Sequence, residues 1–524
     1  MGRSFGQITE AHSAGAGGLK WLNSLRALGV ILVLVYHFFP SFLPGGFIGV
    51  DVFFVVSGYL ITSLLVREFE RSGRLRLFDF FRRRWLRLFP AIAAMLLVSL
   101  PLSLLIPSDF RTDIARQAAA SLSWSTNYYE IFTGQSYEAR LLPHLFIHTW
   151  TLSVEMHYYL FWGAVAAVVL FAASRVRRRG GASACSDPRA AGGNRAAARV
   201  ALLPMAVVFA AVSVACMRSV AARASDPSAA YMSTLSHIFP LMIGSAFGCL
   251  YGFSPLISYG RLFVKKNGAA ARVFRPVSLA AAAAGVAAIV FLSFGFSFRD
   301  PRVYEYGILA VSLITAALLC LARMWQDLSP RREPGVTDYL GLRSYSIYLL
   351  HWPVMIVVGR LAGRLGASPD ASSLWCAALG IPATFIAAEL SYRWVEQPFR
   401  ARRGPAYAAY AAYAPGVAVK GAGAGKRLWN VIPVCVAAAL IAVSLNAVAT
   451  APRLSDIESG LRYGAMSLDV SNLKGLYSDV GSAASTASAA SAADGSMEKR
   501  ASKDAGASPR EGGVATPGEG GGNG

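Results

Sequence analysis

The chain has 524 residues, of which 55% are hydrophobic and only 15% are charged. A soluble protein carries about 25% charged residues, so this composition, with a mean hydropathy of +0.45, excludes a water-soluble globular protein. A formal net charge of +21 also occurs in nucleic-acid-binding proteins, but here the basic residues lie in short clusters between apolar runs. That arrangement is typical of the cytoplasmic loops of a membrane protein, and we expect no nucleic-acid partner.

Continuous apolar segments of about 20 residues predict transmembrane helices, and they recur along most of the chain. We predict eleven spans, near residues 22–39, 47–66, 87–106, 154–174, 200–219, 236–254, 276–297, 305–323, 340–361, 373–393 and 429–450. Membrane strands are excluded because these segments are continuously apolar and do not alternate. The predicted fold is an all-α polytopic membrane protein, with ten clustered helices and one detached helix.

Arginine and lysine follow the second, fourth, sixth and tenth spans, whereas the alternate loops contain few basic residues or balance them with acidic ones. This bias predicts a multi-pass plasma-membrane protein with a cytoplasmic N-terminus and an extracytoplasmic C-terminal tail. We predict a disordered N-terminus (1–19), a membrane domain (20–399), a cytoplasmic linker (400–428), the eleventh helix (429–450) and a low-complexity tail (451–524). The tail is rich in Ser, Ala and Gly from residue 480 onward, so it is expected to be disordered.

Titratable side chains inside apolar spans are costly, so each of them is a candidate functional residue. They are Arg26, His37, Asp51, His148, Glu155, His157, His237 and His351. Arg26 and His37 lie eleven residues apart, which is about 16 Å of helical rise and about three turns, so both project from one face. A short turn after the first span is expected to bring Asp51 near His37. A His–carboxylate pair suits general base catalysis, although a buried structural hydrogen bond fits this spacing equally well.

Arg83 and Arg87 begin the third span at i and i+4, which places them on one helical face. Two guanidinium groups at that point can clamp phosphates, and they can equally act as a positive topology anchor.

His148 and Glu155 are seven residues apart, two turns on one face if a helix begins there, and His351 lies within the ninth span beside a tryptophan. A lone histidine of this kind is more often a satisfied interior residue than a functional one. The histidines show neither HxxxH nor HExxH spacing, so we expect no metal site.

These residues belong to blocks that resemble the motifs of the membrane-bound acyltransferase-3 family. The blocks are Leu22 to Ala27, Tyr36 to Phe38, Gly45 to Thr62, the Arg83/Arg87 pair, His148 to Glu155, Ser344 to Pro353 and Val395 to Phe399. The family includes bacterial O-acetyltransferases of peptidoglycan, O-antigen and exopolysaccharides. The resemblance runs in order over about residues 20–400.

The resemblance implies a ten-helix transfer domain in which Arg26 and His37 are catalytic. That Asp51 assists His37 is expected from its spacing alone. The resemblance also implies that Arg83 and Arg87 handle the donor, acetyl-CoA, and that the acceptor is a cell-envelope carbohydrate. Some members add an eleventh helix and an extracytoplasmic SGNH-type domain. The tail of this chain is too short for that domain, so we expect either a separate SGNH-type partner or a truncated chain.

The sequence thus predicts a bacterial membrane O-acyltransferase, in contact with membrane lipid, that moves an acyl group from cytoplasmic acyl-CoA to carbohydrate hydroxyls. The main alternative is a transporter or flippase of lipid-linked glycans, which would move its substrate without forming an ester. A third possibility is a catalytically idle scaffold for envelope enzymes.

Overall fold

The computed structural model describes residues 5–138, 143–179, 200–252, 269–328, 335–365, 369–401 and 427–452. Within these ranges the regular secondary structure is helical, and no strand occurs. The long helices are α1 (Phe5–Phe38), α2 (Gly49–Ser72), α3 (Leu77–Leu102), α6 (Trp150–Arg179), α7 (Leu202–Ala221), α10 (Phe239–Tyr251), α11 (Ala269–Gly295), α12 (Ile308–Leu328), α13 (Val336–Arg364), α14 (Pro369–Ser391) and α16 (Arg427–Ala449).

Short helices fill the connections between the long ones. They are α4 (Ile114–Leu122), α5 (Thr126–Phe132), α8 (Ser228–Met232), α9 (Thr234–His237) and α15 (Gln397–Ala401). Single 3-10 turns occur at Gly46–Ile48, Ser103–Leu105, Ser108–Arg111 and Ile147–Thr149, and π-helical turns at Val303–Gly307 and Tyr392–Glu396. Several of the described connections are therefore themselves helical.

The predicted spans are all helical. In the described part of the chain, eight helices are long and apolar enough to cross a membrane, and three shorter apolar helices, Leu22–Phe38, Phe239–Tyr251 and Val436–Ala449, coincide with the first, sixth and eleventh predicted spans. The all-α polytopic prediction is confirmed. The linker expected at 400–428 and the tail expected at 451–524 lie almost entirely outside the described residues.

Two details of the prediction are wrong. α1 begins at Phe5, within the segment expected to be disordered, because an established helix extends at the cost of only one residue per added hydrogen bond. The eleventh helix, α16, is not detached but packs against α3, and the Thr450 hydroxyl accepts a hydrogen bond of 3.2 Å from Arg111.

Glycines set the distances between the central helices. A Cβ atom at Gly58 of α2 would lie 1.9 Å from the Leu241 carbonyl oxygen of α10, and one at Gly341 of α13 would lie 2.2 Å from the Asn23 oxygen of α1. Small residues allow such close backbone approach between membrane helices. α1, α2, α10 and α13 consequently form the tight centre of the bundle, and this centre holds the titratable residues of the first two helices.

Candidate active site

A cavity of about 80 Å³ lies between α1, α2, α3, α6 and α13. A buried water needs roughly 10–15 Å³ of such space, so the cavity has room for several waters or a slender chain. Its polar lining consists of Asn23, Arg26, Ser57, Arg84, Arg87, Thr151, Glu155, Tyr159, Ser344, Tyr345 and Tyr348. The remaining lining is apolar, so the cavity combines a cationic wall with a hydrocarbon-like interior.

Three guanidinium groups reach this cavity. Arg26 comes from α1, and Arg84 and Arg87 come from neighbouring turns of α3. Arg84 lies over the Phe80 ring, 5.5 Å from its centroid, and both α3 arginines interact electrostatically with Tyr159. The Tyr159 hydroxyl donates a short hydrogen bond to Glu155. The cavity thus brings Arg26, Arg87 and Glu155 together, and the chemical role of each residue stays a prediction.

Arg83 is placed differently from the prediction. Its Nη2 atom forms an ion pair of 3.0 Å with Glu68 Oε2 on α2, and its side chain is 40% exposed. The cavity is lined instead by Arg84, which lies at i−3 from Arg87. Spacings of three and four residues both keep helical side chains on one face, so the i, i+4 rule alone did not select the correct partner for Arg87.

His37 pairs with another histidine. Its Nδ1 atom lies 3.1 Å from His351 Nε2, and the two ring centroids are 4.9 Å apart. The ring of Trp352 packs edge-on against His37 at 5.0 Å. His351 is fully buried, and its Nδ1 forms a short hydrogen bond with the Tyr348 carbonyl oxygen. The sequence did not predict that these two candidate histidines, 314 residues apart, would pair.

Tyr348 separates this histidine pair from the cavity. It belongs to the cavity lining, and its ring centroid lies 5.3 Å from that of His351. Its hydroxyl donates a 2.9 Å hydrogen bond to the His148 carbonyl oxygen and accepts one of 2.9 Å from Thr151. The His37–His351 pair therefore lies directly behind the aromatic wall at one end of the cavity.

His148 supplies a hydrogen bond that a proline removes from α13. Pro353 has no backbone N–H, so the Leu349 carbonyl four residues earlier lacks its helical donor. His148 Nε2 donates to that oxygen at 2.9 Å. The residue lies in the 3-10 turn before α6, so its spacing from Glu155 is not a spacing within one helix. The geometry gives His148 a structural contact with α13, whereas Glu155 lines the cavity.

Asp51 binds a different histidine from the one predicted. Its Oδ1 atom lies 2.7 Å from His237 Nε2, and both side chains are fully buried. The short turn brought the helices together as expected, but it did not fix how α2 is rotated. Successive helical residues project about 100° apart, and the cavity is lined by Val50. The expected His37–Asp51 hydrogen bond is therefore replaced by an Asp51–His237 bond.

No metal centre is formed within the described residues. In those ranges no three residues of the types His, Cys, Asp and Glu are grouped so that they could hold a metal ion.

The residues that sequence reasoning missed are Arg84, Tyr159 and Tyr348. Arg84 could have been found from the i, i+3 spacing, but the two tyrosines carry no charge signal in a sequence rich in aromatic residues. Glu396 was identified only as part of a family motif, and its contact was not predicted. The π-helical turn Tyr392–Glu396 places its carboxylate where it accepts a hydrogen bond from the Ser346 hydroxyl on α13.

Comparison with known proteins finds acyltransferases both among family models and among individual relatives. A family model described as an acyltransferase domain, acyltransferase type 3, matches residues 19–393. The peptidoglycan O-acetyltransferase OatA of Listeria monocytogenes is 29% identical over 381 residues, which cover 72% of this chain and 55% of that protein. The O-acetyltransferase OatA of Staphylococcus aureus is 27% identical over 393 residues, covering 74% of this chain and 58% of that protein. The chain spans little more than half the length of these relatives. No solved structure matches it.

Proposed function

The chain belongs to the acyltransferase-3 family, as the match over residues 19–393 shows, and from that premise we propose that it is a membrane-bound O-acetyltransferase of cell-envelope carbohydrate. The proposal extends to this chain the activity named for two relatives that it covers only in part.

The donor is acetyl-CoA, which enters from the end of the cavity where α3 begins. Arg84 and Arg87 of α3 line the cavity, and guanidinium groups bind phosphates through two parallel hydrogen bonds. The preceding loop and the first turns of α3 are rich in arginine, which supports a cytoplasmic position for this end. The apolar lining beyond the arginines suits the pantetheine arm and the acetyl group.

The observation that carries the proposal is that an arginine-lined cavity ends at the wall behind which His37 and His351 pair. His37 acts on the thioester there, either as the base for the incoming hydroxyl or as the acceptor of the acetyl group. Arg26 binds the donor or stabilises negative charge on the thioester oxygen. Asp51 acts indirectly, by holding the start of α2 to His237 of α9.

The acetyl group leaves toward the opposite side of the membrane and is received by a sugar hydroxyl. The names of the relatives favour peptidoglycan as the acceptor. An SGNH-type extracytoplasmic protein is a candidate intermediary, as in family members that carry such a domain. This scheme depends on an orientation in which the N-terminus is cytoplasmic and the C-terminal tail is extracytoplasmic.

Replacement of the histidine tests the proposal. His37→Ala is expected to lower acetylation at least about 100-fold, the usual loss when a general base or nucleophile is removed. The readout is base-labile acetate on the envelope glycan of cells that express each variant at equal membrane abundance. His157→Ala is the matched control, because His157 is also a half-buried histidine of a membrane helix, hydrogen-bonds Thr234 and is not part of the cavity lining.

Retained acetylation in the His37→Ala cells would contradict the proposal. Movement of a lipid-linked glycan without any ester would instead favour the transporter alternative.

A further inference from the structure

A second His–carboxylate pair lies outside the cavity, in the segment between α3 and α6. Glu130 of α5 accepts a hydrogen bond from His144, with 2.7 Å between Oε2 and Nδ1. The Glu130 side chain is fully buried, and that of His144 is 16% exposed. This is the arrangement that a catalytic base requires: a buried carboxylate that fixes an imidazole with one edge open.

The surroundings hold the imidazole in one orientation. The ring of Tyr129 stacks on that of His144 at 5.8 Å, and the charged groups that act on Tyr129 are Asp113, Glu130 and Arg116. Because Nδ1 donates to the carboxylate, the Nε2 atom carries the lone pair. Among the described residues, the His144 ring forms no hydrogen bond other than the one to Glu130. Nε2 is thus available to a hydroxyl from outside.

The pair is connected to His37 through one side chain. Trp352 donates a hydrogen bond of 3.1 Å from Nε1 to the His144 carbonyl oxygen, and its ring lies against His37 at 5.0 Å. Along α13 the cavity residue Tyr348 comes first, then His351, and then Trp352. His144 therefore lies on the far side of the histidine pair from the cavity, where an acceptor would approach.

We propose that His144, oriented by Glu130, is the base that takes the proton from the acceptor hydroxyl, while His37 carries the acyl group. This inference rests on the proposed function and divides its two half-reactions between two histidines. The carboxylate expected beside His37 is found with His237 instead, and the available His–carboxylate pair is the outward one.

In the first half-reaction, a His37 nitrogen attacks the thioester carbon, and the bond from that carbon to sulfur breaks. Its electron pair stays on the sulfur, which takes up the proton released by the acylated imidazole, so free CoA thiol leaves. In the second, the sugar oxygen bonds the acyl carbon and the carbon–nitrogen bond breaks, its electrons returning to His37. His144 takes the hydroxyl proton and gives it up to water, and water delivers one proton to His37, so both imidazoles end neutral. The sum is donor thioester plus alcohol giving ester plus thiol.

The test separates the two half-reactions in the full-length chain in lipid nanodiscs. Acetyl-labelled acetyl-CoA is added first, and CoA release with label retained on the protein is measured. A soluble peptidoglycan disaccharide is then added, and the transfer of label to it is timed. His144→Gln is expected to release CoA at the wild-type rate but to transfer label at least about 100 times more slowly.

Two further variants guard against a merely structural effect. Glu130→Gln keeps a hydrogen-bond acceptor but removes the charge, so the transfer kcat should fall about tenfold without a change in the KM for acetyl-CoA. His144→Gly should regain transfer when free imidazole is added, which a packing defect would not. His157→Gln is the matched control and should transfer label at the wild-type rate.

Wild-type transfer by His144→Gln, or absence of imidazole rescue in a folded His144→Gly protein, would overturn the inference and leave the proposed function intact. A wild-type protein that releases no CoA from acetyl-CoA would instead refute the proposed function itself.

Discussion

Arg84 and Arg87 present two guanidinium groups to the cavity from adjacent turns of α3. Arg83, which precedes Arg84 on the same helix, forms an ion pair with Glu68 instead. A hydrogen bond to a charged group contributes about 1.5–3 kcal/mol when it is not exposed. An exposed ion pair contributes less than about 1 kcal/mol. The three neighbouring arginines should therefore differ clearly in their effect on donor binding.

Single alanine substitutions test this difference. Arg84→Ala and Arg87→Ala should each raise the KM for acetyl-CoA by about tenfold, the equivalent of about 1.4 kcal/mol, whereas Arg83→Ala should change it less than about threefold. Initial rates of CoA release at varied acetyl-CoA provide the measurement. A larger effect from Arg83→Ala than from Arg87→Ala would show that the phosphates bind outside the cavity.

The stability of the protein should depend on pH through the buried carboxyl group of Glu130. Burial raises the pKa of Glu130 above its ordinary value, and the hydrogen bond from His144 only partly opposes this. A carboxyl whose pKa is higher in the folded protein stabilises the fold at low pH, and that contribution is lost as the pH rises through the folded pKa. The stability of the wild type relative to Glu130→Gln should thus fall from about pH 4.5 upward.

Thermal denaturation of the two proteins in detergent, measured at a series of pH values, checks this expectation. His144→Ala serves as the comparison background, because it removes the bond that opposes the shift, so the fall should be larger and extend to higher pH. A difference between wild type and Glu130→Gln that stays constant with pH would contradict the argument.

The packing of the bundle depends on glycines that allow close approach between helix backbones. α2 and α10 approach so closely that a Cβ atom at Gly58 would overlap the Leu241 carbonyl oxygen, at 1.9 Å. At Gly295, near the end of α11, a Cβ atom would meet nothing within 4 Å. These two positions give a matched pair for testing how much the packing contributes.

Gly58→Ala should destabilise the protein by about 1–3 kcal/mol, because overpacking forces the helices apart. Gly295→Ala should leave the denaturation midpoint unchanged or slightly raised. The midpoint of each purified variant is the measurement. Equal midpoints for both variants would mean that α2 and α10 are not in contact in the membrane.

The helices themselves could be predicted from sequence, but their rotations could not. Hydropathy located all eleven segments because the length of an apolar run is set by the bilayer. It is silent about which residue of a helix faces which neighbour. Asp51 is an example. The turn before it determined its position along α2, and the packing of α2 against α10 determined that its partner is His237. Similarly, the pairing of His37 with His351 depends on contacts between residues 314 apart.

The groups of the proposed site lie in one order along α13. The arginine-lined cavity, the His37–His351 pair and the His144–Glu130 pair follow one another along α13. The basic loops at the cavity end predict that this end is cytoplasmic. A reaction that takes its donor from one compartment and its acceptor from the other requires that the donor-binding groups and the acceptor-binding groups lie on opposite sides of the catalytic residue.

Sided membrane vesicles test this order most directly. Inverted vesicles, with the cytoplasmic face outward, should release CoA from externally added acetyl-CoA, and glycan enclosed in their lumen should gain acetyl ester. Right-side-out vesicles should do neither until they are permeabilised, and His37→Ala vesicles should do neither in any orientation. CoA release by sealed right-side-out vesicles, or acetylation that survives in His37→Ala vesicles, would contradict the account.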